Sequence, residues 1–172
     1  MRKLFPLLIC LLLLTACGKS PNPIRELDGE DVEPPLVGVA NPWTDHDTLA
    51  DAETAVGFEL SAPEQIEGYA TPIYRTLSGV MLEILYPAEN GEVRIRKQAA
   101  TDAVGNDISG DYNDYQEYAA IAAAGEDADI TLSGNDGLYA KAIWTVGGYA
   151  YSITVDPAID VLAMSDLTAQ VN

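Results

Sequence analysis

One stretch of the sequence, Leu138 to Val155, constrains the fold more tightly than any other. It reads LYAKAIWTVGGYAYSITV, two alternating runs rich in aromatic and β-branched residues around Gly147-Gly148. A two-residue Gly-Gly loop accepts the positive φ angles of a primed turn, so the stretch is expected to form a tight antiparallel hairpin. The loop also sets the register. Val146 faces Tyr149, Trp144 faces Tyr151, Ala142 faces Ile153 and Ala140 faces Val155, which collects the apolar partners on one side of the ribbon. The other side carries Lys141, Ile143, Thr145, Ala150, Ser152 and Thr154. A ribbon with one apolar face suits an antiparallel sheet covered by helices on that face. The expected fold is therefore α+β and two-layered, with a sheet of about five to six hairpin-built strands. An N-terminal and a C-terminal helix pack on one face.

The chain of 172 residues is 48% hydrophobic, and part of that apolar content belongs to its beginning. Arg2 and Lys3 precede an unbroken apolar run that ends in Leu14-Thr15-Ala16-Cys17. The run has the length of a secretory signal and is too short to cross a bilayer as a permanent helix. Leu-Thr-Ala-Cys resembles the bacterial lipoprotein cleavage box, in which the cysteine is acylated and becomes the new N-terminus. Residues 1–16 are thus expected to be a signal peptide and Cys17 a lipidated anchor. Processing would leave 27 acidic residues against seven basic ones, a formal charge of −20. Such a surface is repelled by nucleic acid and by anionic lipid head groups, so attachment to the membrane would run through the lipid. Once acylated, Cys17 is lost to disulfide, nucleophile and thiolate-metal chemistry alike, and the core must carry the fold.

Residues 17–42 read as an extended tether, with Pro21, Pro23, Pro34 and Pro35 among acidic residues. Residues 43–172 are the expected globular domain. Its first helix is read from Leu49, Ala52 and Val56, with Thr44 or Asp45 as the cap and Gly57 as the stop. Phe58 to Leu60 reads as a short strand. Tyr69 to Leu77 contains Pro72 and, if a strand, belongs at an edge. Val80 to Ala88 and Glu92 to Lys97 alternate on either side of Asn90-Gly91, predicting a second hairpin with Tyr86 opposite Ile95 and Ala88 opposite Val93. Arg94, Arg96 and Lys97 are read as edge protection paired with local carboxylates, two of them on a solvent face.

Thr101 to Tyr118 is crowded with Asp, Asn, Gly and Tyr and shows no sustained period. Asp107, Ser109, Asp111 and Asn113 alternate as in a cation-binding loop, which makes Asp107, Asp111 and Asn113 calcium candidates. Tyr112 stands where the EF-hand pattern requires glycine, so that pattern fails. Tyr112, Tyr115 and Tyr118 are expected to pin the loop to the sheet. Asp129 to Ser133 resumes a strand with Ile130 and Leu132 inward. After the opening hairpin, Asp156-Pro157 is read as the start of a helix whose Ile159, Ala163, Leu167 and Val171 form one stripe.

Several motifs carry a resemblance. Ala-Val-Gly-Phe at 55–58, Pro-Glu-Gln-Ile-Glu-Gly-Tyr at 63–69, Asp-Ile-Ser-Gly-Asp-Tyr at 107–112, Ile-Thr-Leu-Ser-Gly at 130–134 and Ala-Ile-Trp-Thr-Val-Gly-Gly-Tyr-Ala-Tyr-Ser-Ile at 142–153 occur in this order. The chain after the tether resembles domain-of-unknown-function family 4367, found in secreted and membrane-anchored proteins of Firmicutes. The resemblance implies an architecture and an extracytoplasmic setting, and it brings no catalytic residues.

His46 is the single histidine and lies between Asp45 and Asp47. No serine occupies a Gly-x-Ser-x-Gly elbow, so a Ser-His-Asp triad has no support, and a solvated cap is the default for His46. The sequence therefore predicts no catalytic residues and no cofactor. It points to a lipid-anchored, non-enzymatic binding or sensing module of the cell envelope. Its ligand would be an envelope protein, peptide or glycan, and the chain is expected to be a monomer. Two alternatives stay open: a carboxylate-dependent hydrolase of envelope material, and a carrier whose apolar ligand fills a cavity beside Ala140, Ala142 and Ala163.

Overall fold

The computed structural model describes residues 41–101, 107–122 and 128–172. These belong to one compact unit spanning 39–172. Cys17, the signal segment and the tether up to residue 40 lie outside the described residues.

The described residues build one antiparallel sheet of eight strands with two helices. In chain order the elements are β1 (Trp43–His46), α1 (Leu49–Val56), β2 (Ile73–Leu77), β3 (Met81–Ala88), β4 (Gly91–Ala99), β5 (Glu117–Ala122), β6 (Asp129–Asn135), β7 (Leu138–Val146), β8 (Tyr149–Ile159) and α2 (Val161–Thr168). The strand order β1-β2-β3-β4-β8-β7-β6-β5 joins two four-stranded meanders through the central β4–β8 pair. Each meander runs from an outer edge to the middle.

Eight strands replace the five to six expected, and the additions have physical reasons. Trp43–His46 shows no apolar alternation, and reading it as the approach to a helix hid β1. It pairs with β2 from Trp43 opposite Leu77 to His46 opposite Tyr74. Half of β5 is alanine, a weak strand former, yet Ala119 and Ile121 sit opposite Leu132 and Ile130 and join the core. With β1 outside it, β2 is an interior strand, and Pro72 lies just before its first residue. Phe58 to Leu60 is not a strand. It is held by Glu53 Oε1, which accepts from Leu60 N, and by Lys97 Nζ, which donates to the Glu59 carbonyl.

The helix caps also differ from the sequence reading. Thr48, not Thr44 or Asp45, caps α1, its side chain accepting from Asp51 N, and Gly57 closes the helix at φ +81° as expected. Asp156-Pro157 does not start a helix. That bond is cis and lies within β8, and Asp160 caps α2 by accepting from Leu162 N and Ala163 N. The buried stripe of α2 and its exit is Met164, Leu167 and Val171, while Ala163 faces outward.

The opening hairpin holds in its upper part. Gly147 and Gly148 both have positive φ, and Val146–Tyr149, Trp144–Tyr151 and Ala142–Ile153 are the observed pairs. Ala140 does not face Val155. The ladder slips after Lys141–Thr154 and resumes at Tyr139–Ile159, so on the β7 side residues 155–158 of β8 stand opposite Ala140 alone, while Val155 and Asp156 keep their pairs with Val93 and Glu92 of β4. In the β3–β4 hairpin the turn is one residue earlier than expected, at Glu89-Asn90. Tyr86 therefore faces Val93 and Ile84 faces Ile95. A shift of two residues changes the partners but preserves the faces. Val80 belongs to the preceding turn and is exposed.

On one face of the sheet Leu82, Ile84, Tyr86, Val93, Ile95, Tyr151, Ile153 and Trp144 pack with Ala52 of α1 and Met164 and Leu167 of α2. Trp144 stacks on Tyr151 at 5.1 Å. Lys97 shares this face because it has the parity of Val93 and Ile95. Its ammonium lies 4.8 Å from the Tyr149 ring centroid and 5.0 Å from that of Tyr151. Burial lowers the Lys97 pKa, and Tyr149, Glu53 and Glu59 oppose that shift.

Candidate functional site

The second face of the sheet is where the chain places its charge. Between residues 43 and 172 there are five basic and 22 acidic residues. All five basic residues lie in strands, and four of them (Arg75, Arg94, Arg96 and Lys141) point away from the helices. Their parity is opposite to that of the apolar residues beside them, so the pleat alone sends them there.

Register stacks these side chains into cross-strand rows. One row runs Asp45, Arg75, Glu83, Arg96, Ser152 across β1, β2, β3, β4 and β8, and the next runs Leu85, Arg94, Thr154, Lys141, Ser133 across β3, β4, β8, β7 and β6. Glu83, fully buried, is the hub. Its Oε1 accepts from Arg75 Nε and its Oε2 accepts from Arg96 Nε at 2.6 Å. Arg94 Nε stands 3.4 Å from the same Oε2. Arg94 also pairs with Glu92. The Trp43 ring lies over Arg75 and Arg96, with guanidinium carbons 4.9 and 5.4 Å from its centroid. An unpaired buried carboxylate would be prohibitive, and three guanidinium groups surround that of Glu83. The edge-protection reading of Arg94 and Arg96 is thus overturned: β4 is central, and the arginines are covered. The expected pairing with local carboxylates does occur.

The cover is the segment 107–115. Arg96 Nη1 donates to the carbonyls of Ile108, at 2.9 Å, and Ser109. Gly110 makes this approach possible. At φ +66° it places its backbone so close that a Cβ would lie 2.6 Å from Arg96 Nη1. Lys141 Nζ donates to Asp107 Oδ2 at 3.0 Å and to the Asp111 carbonyl at 3.2 Å. Asp107 Oδ1 also accepts from Ser109 N and Oγ, and Asp111 Oδ1 accepts from Asn113 N and Nδ2. Alternation at 107, 109, 111 and 113 therefore makes successive side-chain-to-backbone turns. The cation that Asp107 and the Asp111 carbonyl close upon is the ammonium of Lys141. Among the described residues no group of three or more His, Cys, Asp or Glu gathers as a metal site.

Burial acts to raise the Asp107 pKa, but the hydrogen bonds from Ser109 and Lys141, with the lysine charge, outweigh it and leave the carboxyl below its usual value. Tyr115 is the one tyrosine that pins the loop. Its hydroxyl donates to Asp111 Oδ2, its ring lies 5.6 Å from Lys141 Nζ, and burial followed by the Asp111 contact pushes its pKa up to about 12. Tyr112 and Tyr118 are exposed and do not pin it. His46 lies in β1, not at a helix start, and its Nε2 is 3.0 Å from Thr76 Oγ1.

Beside the loop opens a cleft of about 710 Å³, bounded by Arg94 and Thr154 on the sheet, by Asp111, Asn113 and Tyr115 on the loop and by Asn135 at the end of β6. The β8 residues opposite Ala140, with Ala140 itself, form its other wall. Beneath the loop two buried polar atoms, Arg94 Nε and Ser152 Oγ, have no hydrogen-bond partner among the described residues. The 3.4 Å approach of Arg94 Nε to Glu83 is an ion-pair contact without hydrogen-bond alignment. The cleft combines acceptors, donors and groups that are both, which fits a ligand rich in hydroxyl or amide groups.

This site was missed in the sequence because its charges were assigned to solvent. The available signal was the placement of Arg75, Glu83, Arg94, Arg96 and Lys141, each at the polar parity of a strand. Compared with family models, curated proteins and solved structures, the chain gives no match. Among the described residues no helix is long and apolar enough to cross a membrane.

Proposed function

We propose that the protein is a lipid-anchored extracytoplasmic module that binds a hydroxyl- or amide-rich ligand, such as an envelope glycan or peptide, in the cleft beside the 107–115 loop. The observation that carries this reading is the cleft itself, with Asn113, Asn135, Thr154 and Arg94 facing one space of about 710 Å³. Rigid strands supply its floor and an internally bonded loop its wall, which is the preorganisation that a binding site needs. The signal-like start and Cys17 support export and acylation, and the motif resemblance to domain-of-unknown-function family 4367 supports the same setting. Membership of that family is part of the proposal.

Binding without turnover accounts best for the carboxylates present. A glycosidase needs one carboxyl held protonated and a second one free across the scissile bond. Of the three carboxylates lining the cleft, Asp111 is engaged by Asn113 and Tyr115 and Glu92 by Arg94, which leaves Asp156 alone where a pair is required. Asp107, the neighbouring carboxyl, is shifted downward, the direction opposite to a general acid. The carrier alternative has less support. The space between sheet and helices holds the side chains of Trp144, Tyr151, Leu82, Tyr86 and Met164, all buried. The apolar groove of about 510 Å³ beside α2 opens outward between Ile66, Tyr69 and Leu167.

Calorimetric titration with soluble disaccharide-peptide fragments of an envelope polymer tests the proposal. Binding that weakens by about tenfold in Asn113→Ala and Asn135→Ala, matching the loss of one or two hydrogen bonds, is expected. Binding indifferent to both changes, or release of product during the titration, overturns it. Export is tested separately by acyl labelling, with Cys17→Ser as the control; an unlabelled natural chain contradicts the anchor.

A further inference from the structure

The two outer edges of the sheet differ in a way that the cleft does not explain. β1 is four residues long, carries Asp45 and His46, and is followed by Asp47, so it is short and charged. β5 is six residues long, Glu-Tyr-Ala-Ala-Ile-Ala, with a single charge at its start and no proline, lysine or arginine. It pairs on one side only, with β6. Among the described residues no loop or cap backbone bond reaches it from outside. Six residues in an antiparallel ladder leave about three N–H and three C=O groups directed outward, a template for another strand. Proteins ordinarily blunt such an edge with lysine, proline or a bulge, and β5 has none of these.

The charge around this edge says what would cover it. Asp114, Glu117, Asp129 and Asp136 flank it on β5, β6 and their turns, and no basic residue lies on β5 or β6. Among the described residues, the basic side chains are committed elsewhere in the sheet, around Glu83, Asp107 and the Tyr149–Tyr151 rings. A second copy of this chain would bring a matching acidic edge and is disfavoured. A strand bearing lysine or arginine is complementary. Tyr118, 67% exposed on the face away from the helices, offers its ring to such a side chain, while Ala119 and Ile121 continue the apolar face on the other side.

We propose that the outer edge of β5 accepts an extended, lysine- or arginine-bearing segment of a partner protein as a ninth strand. Backbone hydrogen bonds hold it, and the acidic flanks select its charge. No residue of β5 lines the cleft, and the proposal does not depend on what the cleft binds.

Fluorescence anisotropy of a labelled, end-capped hexapeptide alternating lysine and valine tests this. Two control peptides accompany it: the same sequence N-methylated at every residue, which removes the donors of both strand edges, and one with glutamate in place of lysine. The lysine peptide is expected to bind and to weaken as salt rises. The N-methylated peptide should lose about tenfold or more, since its charge is intact and its outward pairing is gone. Ala119→Pro and Ala120→Pro locate the site. Successive residues direct their N–H groups to opposite sides, so one of the two variants spares the β6 ladder, keeps its melting transition and loses the peptide. Equal binding of the N-methylated peptide means charge attraction alone and overturns the proposal, as does undiminished binding by the folded proline variant. Absence of binding, or a β5-dependent dimer that excludes the peptide, overturns it too. If both proline variants unfold, the N-methylated peptide decides.

Discussion

Glu83→Gln is the substitution that weighs the charged face most directly. The change is nearly isosteric, so it leaves packing intact and removes one charge. In the natural chain Glu83 is fully buried and balances Arg75, Arg94 and Arg96, whose side chains are 22%, 25% and 11% exposed. A glutamine offers one acceptor oxygen, and its amide hydrogens would point at guanidinium donors. Breaking a fully buried ion pair costs about 3 to 5 kcal/mol. Here water reaches the outer nitrogens of the arginines, which lowers the expected loss to about 2 to 4 kcal/mol. For a domain of this size that corresponds to a fall in Tm of roughly 10 °C. Urea unfolding followed by tryptophan fluorescence at neutral pH measures it. Replacing Glu83 with Leu and Arg96 with Met together should cost less than the sum of the single changes, because it removes both members of a desolvated pair. A loss below about 1 kcal/mol in Glu83→Gln would contradict the desolvated ion-pair hub. It would mean that the hub is hydrated and the loop does not seal it.

Trp144→Ala should cost about 3 to 5 kcal/mol in the same assay, since it empties a buried site stacked on Tyr151; a negligible loss would place Trp144 outside the core. Gly110→Ala should loosen the cover, seen as faster amide hydrogen exchange across 107–115 with exchange in β7 and β8 unchanged, because a Cβ cannot lie beside Arg96. Unaltered exchange would show that Arg96 yields without moving the loop. The depressed Asp107 pKa predicts an acid-side dependence. A carboxyl lowered in the folded state adds stability above its unfolded pKa, near 3.8, and loses it as pH falls through the folded value. Asp107→Asn should therefore reduce stability at neutral pH and converge with the natural chain below that range. The difference should be under about 1 kcal/mol, because the Asp107 side chain is 40% exposed and the pair is screened. A difference that persists at the acid end contradicts the assignment.

What the sequence made legible is what local pattern controls. Alternation placed Leu82, Ile84, Tyr86, Ile130, Leu132, Trp144 and Tyr151 on one face, and Gly57 and Gly147-Gly148 marked a helix end and a turn. Where two local signals competed, the pattern misled. Asp156-Pro157 resembles a helix start, but β8 continues through it to pair with Tyr139. Asn90-Gly91 is a favoured turn pair, but the chain turns one residue earlier and Gly91 enters β4. Burial of the polar face could not be read locally at all. Arg96 and Lys141 are covered by a segment whose bonds to them span 12 to 34 residues of sequence, and only closure of that loop distinguishes them from solvated edge charges. The same closure converts the apparent cation loop into a cage for a lysine, which no spacing rule within 107–113 reveals.

Binding in the loop-bounded cleft on the charged face is what the proposed function requires. Amide chemical shifts of the isotope-labelled protein, followed during titration with soluble disaccharide-peptide envelope fragments, test it most directly. Saturable changes centred on Asn113, Tyr115, Asn135 and Thr154 are expected, with the fragments recovered unaltered. Shifts confined to the groove beside α2, or cleavage of the fragments, would contradict it.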